Sequence, residues 1–234
     1  MHKAILVAFV LLPAALSAQN PQPAQTPQPA PAPLAAEHAT DAVPATPVVF
    51  TSDAGFSFSY PSDWAVIDSK PMMPAIQLKA NQDAESDMEK KGIDCTQISL
   101  LLRHGSPASS IVVLVLPYGC LSGALSPSDL AATASGIAEG LKKSMDLSDP
   151  IYGAYKLGSH DLWIERAQAT PKDHPDQPFI IEVVSVMLKK GMVCWMGFAR
   201  DEAALKALNE AQIVLDGDTP AALVPSTALA QKKP

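Results

Sequence analysis

The sequence lacks the motifs of the common enzyme classes. It contains no Gly-x-Ser-x-Gly elbow, no His-Glu-x-x-His pair and no phosphate-binding glycine loop. Its three cysteines form no Cys-x-x-Cys pair, and no Cys/His spacing suits zinc. We therefore expect no catalytic residue, no metal site and no cofactor, and a chain that is not an enzyme.

Positive charge is also scarce. The formal net charge is −7, and no cluster of lysine and arginine forms a basic stripe. Nucleic acids and anionic membrane surfaces attract such stripes. We therefore expect no nucleic-acid partner, and acidic membrane surfaces are poor candidates.

No apolar run is long enough to cross a bilayer. The run Ala4–Leu12 follows His2 and Lys3 and is ended by Pro13 and small residues. This order predicts a signal peptide over residues 1–18, and an uncleaved anchor is the alternative. We expect an exported protein, periplasmic or secreted, with no stable membrane insertion after cleavage.

Proline divides the rest of the chain. Residues 19–47 consist mainly of Pro, Ala and Gln, which predicts a disordered or extended linker. Residues 217–234 have a similar composition and predict a disordered tail. Residues 48–216 lie between them, and their length and apolar content predict one α/β domain with a single core.

Strand patterns dominate this domain. Short apolar or alternating runs predict strands, including Ile76–Ala80 and the hairpin pair Thr96–Arg103 and Ser110–Tyr118. Helices are predicted after Ser126 and near Asp201.

The architecture follows from two runs, Ile111–Leu116 and Phe179–Leu188. Both alternating faces of these runs are apolar, apart from Glu182 and Ser185. Strands of this kind have to be covered on both sides. The sequence therefore predicts an α+β fold, a three-layer α/β/α sandwich around a central, mostly antiparallel sheet.

One segment resembles a known family. Gly55–Trp64 reads as an aromatic strand, then Tyr60–Pro61, then Trp64, and this is similar to the opening of PsbP-like domains. The resemblance covers about residues 48–215 and implies an α/β/α sandwich. It also implies a non-enzymatic binding or assembly module, as an exported bacterial member of unknown role, and it carries over no catalytic residue.

Two aromatic residues of this opening and one tryptophan farther along the chain offer a possible binding patch. We assign it to Tyr60, Trp64 and Trp163. For Trp64 the alternative is core packing, which is the usual role of a buried tryptophan.

The cysteines predict one disulfide. The hairpin strands turn around residue 106, so residues whose numbers add up to about 212 face each other. Cys95 and Cys120 meet that condition approximately, and export favours oxidation. Cys194 lies within a strand and is predicted to be a reduced core thiol.

Two further combinations of residues remain open alternatives. Cys120, His160 and Asp161 together suggest a Cys/His enzyme, although a disulfide would occupy the thiol. A weak surface metal site is the second alternative, and ordinary turn chemistry explains the same residues: His160, Asp161, Asp173, His174 and Asp176.

Two functions follow from these observations. The first is a secreted non-enzymatic binding or assembly module whose partner is a protein or a cell-envelope component. The second is a secreted hydrolase or inhibitor with an unrecognised site. A deep pocket with several titratable groups would favour the second function.

Overall fold

The computed structural model describes residues 46–84, 86–105, 108–120, 126, 128–205 and 212–226. The predicted signal peptide, residues 1–18, and all but the end of the predicted linker, residues 19–47, lie outside these ranges. Within them, no helix is both long and apolar enough to span a membrane.

The strands form two antiparallel sheets. The small sheet has the order β1-β2-β11, and the large sheet has the order β12-β7-β8-β9-β10-β5-β4-β3, with β6 beside β8. The strands are β1 Pro47–Ser52, β2 Phe56–Pro61, β3 Ala65–Val66, β4 Gln97–His104, β5 Ser109–Pro117, β6 Met145–Leu147, β7 Ile151–Leu157, β8 His160–Pro171, β9 Phe179–Met187, β10 Gly191–Ala199, β11 Gln212–Leu215 and β12 Leu223–Pro225.

Three helices that lie almost wholly within the described ranges accompany the sheets. They are α1 Met73–Asp83, α2 Asp87–Cys95 and α3 Ser128–Leu141, and a short 3₁₀ turn spans Tyr118–Cys120. The Ser86 hydroxyl caps α2 by accepting from the Glu89 backbone N–H. The Asp129 carboxylate accepts from the Ser126 N–H at 2.6 Å, which is half of a capping box at the start of α3.

The predicted strand at Ile76–Ala80 is wrong, because these residues lie inside α1. Ile76 and Ala80 are both buried and are four residues apart, so they share one face of a helix. A proline in the first turn, Pro74, also suits a helix start. The alternating segment is short enough to fit the period of a helix as well as that of a strand.

The large sheet is covered on both faces, as the sequence predicted. On one face α3 packs through Leu130, Ala134, Ile137 and Leu141. On the other face lie the small sheet, through Phe56, Phe58 and Tyr60, and a helical turn at residues 202–205. The α+β fold with a central antiparallel sheet is confirmed, and the structure adds that a second sheet forms much of one covering layer.

The C-terminal region differs from its prediction. A disordered tail was predicted from residue 217, but β12 pairs with the edge of the large sheet through β7, from Leu223 opposite Leu157 to Pro225 opposite Tyr155. An edge strand tolerates proline because one side of its backbone needs no partner. Residues 217–226 are called the strap below, and residues 227–234 lie outside the described ranges.

Candidate functional site

A groove of about 760 Å³ lies on the face of the large sheet that carries the small sheet. This volume is within the range of small-molecule sites, roughly 300–1,000 Å³. The groove occupies the part of that face that the small sheet does not cover.

The floor of the groove consists of two rows of side chains that run across the strands. Strand register defines the rows, because residues opposite each other in an antiparallel sheet share a face. One row is Ile151, Arg166, Glu182, Gly197 and Ile111; the other is Gly153, Ile164, Val184 and Trp195.

The walls come from two different parts of the chain. Phe58 of β2 and Ile213 of β11 form the wall on the small-sheet side. Residues 220–223 of the strap form the opposite wall. Gly153 and Gly197 contribute no side chain to the floor, which deepens the space between the walls.

Two charged residues lie on the largely apolar floor of the groove. Among the described residues that line the groove, only Arg166 and Glu182 carry charge. They are direct cross-strand partners, and Nε of Arg166 donates to Oε2 of Glu182 at 3.0 Å. Nη2 of Arg166 donates to the same oxygen. The two charges therefore neutralise each other inside the groove.

The strap is held at both ends. At its start, the Asp218 carboxylate accepts from the backbone N–H of Ser159 at 2.7 Å and from its hydroxyl at 3.0 Å. At its end, the Ser226 N–H donates to the Ala154 carbonyl at 2.9 Å, and the Ser226 hydroxyl donates to Asp161 at 3.0 Å.

The electrostatic surroundings of Asp218 favour its charged form. The hydrogen bond from the Ser159 backbone holds the pKa of Asp218 below its usual value, and the Ser159 hydroxyl, His160 and Lys189 act in the same direction. The fixed end of the strap is therefore an ionised carboxylate near neutral pH.

Asp216 joins the same end of the sheets together. Its N–H donates to the Gly55 carbonyl in the β1–β2 turn, and its carboxylate accepts from the Lys189 N–H in the β9–β10 turn. Asp216 has φ of 44° and Gly217 has φ of 81°, a left-handed bend that Asp tolerates better than most residues. This bend directs the chain from β11 into the strap.

The predicted aromatic patch is wrong. Tyr60, Trp64 and Trp163 are all buried, with exposed fractions of 5%, 5% and 6%. Tyr60 and Trp64 belong to the core on the small-sheet face, whereas Trp163 belongs to the core beneath α3. The three side chains therefore lie on opposite faces of the large sheet and cannot share a surface.

The two tryptophans instead stack on neighbours. Trp64 stacks on His104 with ring centroids 5.2 Å apart, and Trp163 stacks on Tyr152 at 5.7 Å. Trp64 thus takes the alternative role considered from the sequence, core packing.

The cysteines have the predicted arrangement. Cys95 and Cys120 lie at disulfide distance, with Cα atoms 5.8 Å apart. Cys194 is a buried free thiol near the Ser185 hydroxyl, at 3.3 Å. Burial raises the pKa of Cys194 to about 11, and the hydrogen bond with Ser185 offsets only part of that effect.

The polar turn residues are not brought together. His160 and Asp161 begin β8, whereas Asp173, His174 and Asp176 follow its other end. A strand of this length spans on the order of 35 Å. Within the described ranges, no three His, Cys, Asp or Glu side chains are grouped as metal ligands. Cys120 is engaged with Cys95, so it offers no thiolate to His160.

The sequence did not predict Arg166 and Glu182 as site residues. Glu182 was visible as a charge inside an apolar strand, and that was the available signal. Arg166 lies sixteen positions away and becomes its partner only through the β8–β9 register.

The fold and groove define a class: an α+β domain with an apolar site on one sheet face. No protein-family profile matches this chain, and no curated protein matches it. Two solved structures are similar. One is the solution structure of cyanobacterial PsbP (CyanoP) from Synechocystis sp. PCC 6803, with 10% identity, 74% of this chain and 91% of that chain covered, and a TM-score of 0.40.

The second is the crystal structure of LpqN, a protein involved in cell envelope biogenesis of Mycobacterium tuberculosis. It has 15% identity, 77% of this chain and 90% of that chain are covered, and the TM-score is 0.39. Both similarities are weak, so neither says what this chain binds.

Proposed function

We propose that this chain is an exported, non-enzymatic binding module that holds a small cell-envelope component with an apolar body in the groove. The observation that carries the proposal is the groove itself, with a volume of about 760 Å³ and a floor and walls that are mostly apolar. Export rests on the signal-peptide pattern of residues 1–18, and the Cys95–Cys120 geometry suits an oxidising compartment.

The charge arrangement favours binding over catalysis. A general acid or base has to exchange a proton with a substrate, which requires a titratable group that is accessible. In the groove, Arg166 and Glu182 occupy each other instead. Among the described lining residues, the remaining titratable side chain on the groove face is the phenol of Tyr155, because the Tyr152 ring stacks on Trp163 on the face covered by α3.

Binding of a neutral apolar fluorophore tests the proposal. The full exported chain is purified after processing and titrated with N-phenyl-1-naphthylamine, whose emission rises in apolar surroundings. We expect saturable binding to one site. Ala222→Trp places a large side chain on the strap at the mouth of the groove and is expected to weaken binding about tenfold or more.

A matched substitution controls for the added indole. Ala65 is exposed on β3, at the opposite edge of the large sheet from β12. Ala65→Trp is expected to leave binding unchanged. Equal binding by both variants would place the fluorophore outside the groove. Capture of an envelope protein by both variants, with no fluorophore binding, would contradict a small-molecule site.

A further inference from the structure

The head group that the groove accepts can be inferred from the Arg166–Glu182 pair. Arg166 and Glu182 face each other across β8 and β9, and both of their hydrogen bonds end on Oε2 of Glu182. The Glu182 side chain is 18% exposed and the Arg166 side chain 41% exposed. The Glu182 carboxylate is therefore largely withdrawn from water at the floor of the groove, whereas the Arg166 side chain stays partly in contact with it.

The apolar neighbours make this pair costly to separate. Ile164 and Val184 form the adjacent row of the floor, and Ile151 and Ile111 lie at the ends of the pair's own row. A charge left alone in such surroundings loses its hydration without gaining a partner. An anionic ligand that took Arg166 away from Glu182 would leave the Glu182 carboxylate in this position, and one that bound beside the closed pair would meet the negative charge of Glu182.

An uncharged polar group meets no such penalty. Within the described residues, the pair leaves unused Oε1 of Glu182 and the remaining N–H groups of the Arg166 guanidinium. A hydroxyl or amide can donate to the first and accept from the second while the ion pair stays closed. Hydrogen bonds to charged groups are stronger than those between neutral groups.

We propose that the closed Arg166–Glu182 pair makes the groove selective for an uncharged amphiphile, with a hydroxyl- or amide-bearing head and an apolar chain, over the fatty-acid anion of the same chain. This inference rests on the proposed function, and it assigns to Glu182 the rejection of anions. A specificity of this kind comes from a repulsive element as much as from an attractive one.

Competition between two ligands with one acyl chain tests the proposal. Glycerol monolaurate and sodium laurate are each titrated against N-phenyl-1-naphthylamine bound to the full exported chain, and the loss of fluorescence gives their affinities. Both are kept below their micelle concentrations, at a pH where laurate is ionised. We expect glycerol monolaurate to bind about tenfold more tightly than laurate. Glu182→Gln leaves Arg166 without a counter-charge, so laurate is expected to gain about tenfold and the preference to reverse.

Two further variants separate the effect of the Arg166–Glu182 pair from a change in net charge and from a failure to fold. Glu202 is exposed outside the groove, so Glu202→Gln makes the same charge change and is expected to keep the wild-type preference. The double exchange Arg166→Glu/Glu182→Arg restores a pair with reversed polarity. This double variant is expected to keep the preference for glycerol monolaurate. If Glu182→Gln does not fold, the double variant tests whether a closed pair is what causes the preference.

The outcomes separate the inference from the proposed function. If laurate binds the wild type as tightly as glycerol monolaurate does, selectivity by the pair is overturned while an apolar site remains. If Glu182→Gln folds and keeps the wild-type preference, Glu182 does not reject anions. If neither amphiphile nor the fluorophore binds, both proposals are overturned.

Discussion

Asp218 accepts hydrogen bonds from the backbone N–H and the hydroxyl of Ser159, 59 positions earlier in the chain. These bonds attach the strap to the β7–β8 turn. They position residues 220–223 along the groove, where they form one wall. The β7–β8 turn and the distant Asp218 carboxylate thus hold the strap wall of the groove in place.

Removing the Asp218 carboxylate is expected to loosen the strap. In Asp218→Ala the Ser159 N–H loses its acceptor, so its hydrogen exchange is expected to accelerate, together with that of the amides in the β12–β7 ladder. Hydrogen–deuterium exchange with mass spectrometry measures this change. Asp173→Ala removes an exposed acid from a different turn and is expected to leave these amides unchanged. Similar exchange in both variants would mean that Asp218 does not hold the strap.

The attachment is also expected to depend on pH in one direction. The pKa of Asp218 is lower in the folded chain than its ordinary value of 3.8, chiefly because of the Ser159 backbone hydrogen bond. A lowered carboxyl pKa stabilises the folded state above the unfolded-state pKa, and the effect is lost as pH falls through the folded-state pKa. Strap amides should therefore stay protected down to about pH 4 and lose protection below it. Loss of protection between neutral pH and pH 5 would contradict this prediction.

The buried Glu165 carboxyl is expected to make the unfolding free energy depend on pH in the opposite direction. It is buried on the face covered by α3, and burial raises its pKa above 4.5, although Lys142 acts against the shift. The unfolded chain therefore ionises this group first, and the unfolding free energy falls as pH rises from about 4.5 through the folded-state pKa. Glu165→Gln is expected to flatten this fall, as measured by urea unfolding across that range. Glu202→Gln, at an exposed position, is expected to retain it.

Trp64 is expected to matter for stability. It is buried in the core on the small-sheet face and stacks on His104. Trp64→Ala leaves a cavity and is expected to lower the unfolding free energy by about 3–5 kcal/mol in urea unfolding. Val66→Ala changes a nearby exposed residue and should cost less than about 0.5 kcal/mol. A small effect of Trp64→Ala, with loss of fluorophore binding, would restore a surface role for Trp64.

The cysteines predict a defined alkylation pattern. The thiol of Cys194 is buried and its pKa is raised to about 11, so iodoacetamide should not label the folded, non-reduced chain. After unfolding without reductant, one label on Cys194 is expected, found by mass mapping of the digest. Labelling of Cys95 or Cys120 in that sample would contradict the pairing. Cys95→Ala/Cys120→Ala is expected to lower the unfolding free energy by about 3 kcal/mol.

Part of the fold could be predicted because its signals are local. The apolar faces of Ile111–Leu116 and Phe179–Leu188 require cover on both sides in any arrangement, since exposed apolar surface is costly. The Cys95–Cys120 proximity followed from a hairpin whose turn lies between the strands, so counting from the turn gave the approximate register. The strand prediction for Ile76–Ala80 was wrong because so short an alternating segment fits a helix as well as a strand.

The site depended on the tertiary structure. Glu182 was visible in the sequence as an unexplained charge, but Arg166 faces it only because β8 and β9 pair in one register. The face that each tryptophan occupies, and the attachment of the strap through Asp218, likewise depend on contacts between distant segments. The sequence by itself determined the alternation of side chains along the strands, the need to cover both faces of the central strands, and the hairpin, because these depend on residues that are close together in the chain. The groove and its charge pair arise only when separate strands align, since one shift of register would move every side chain to the other face.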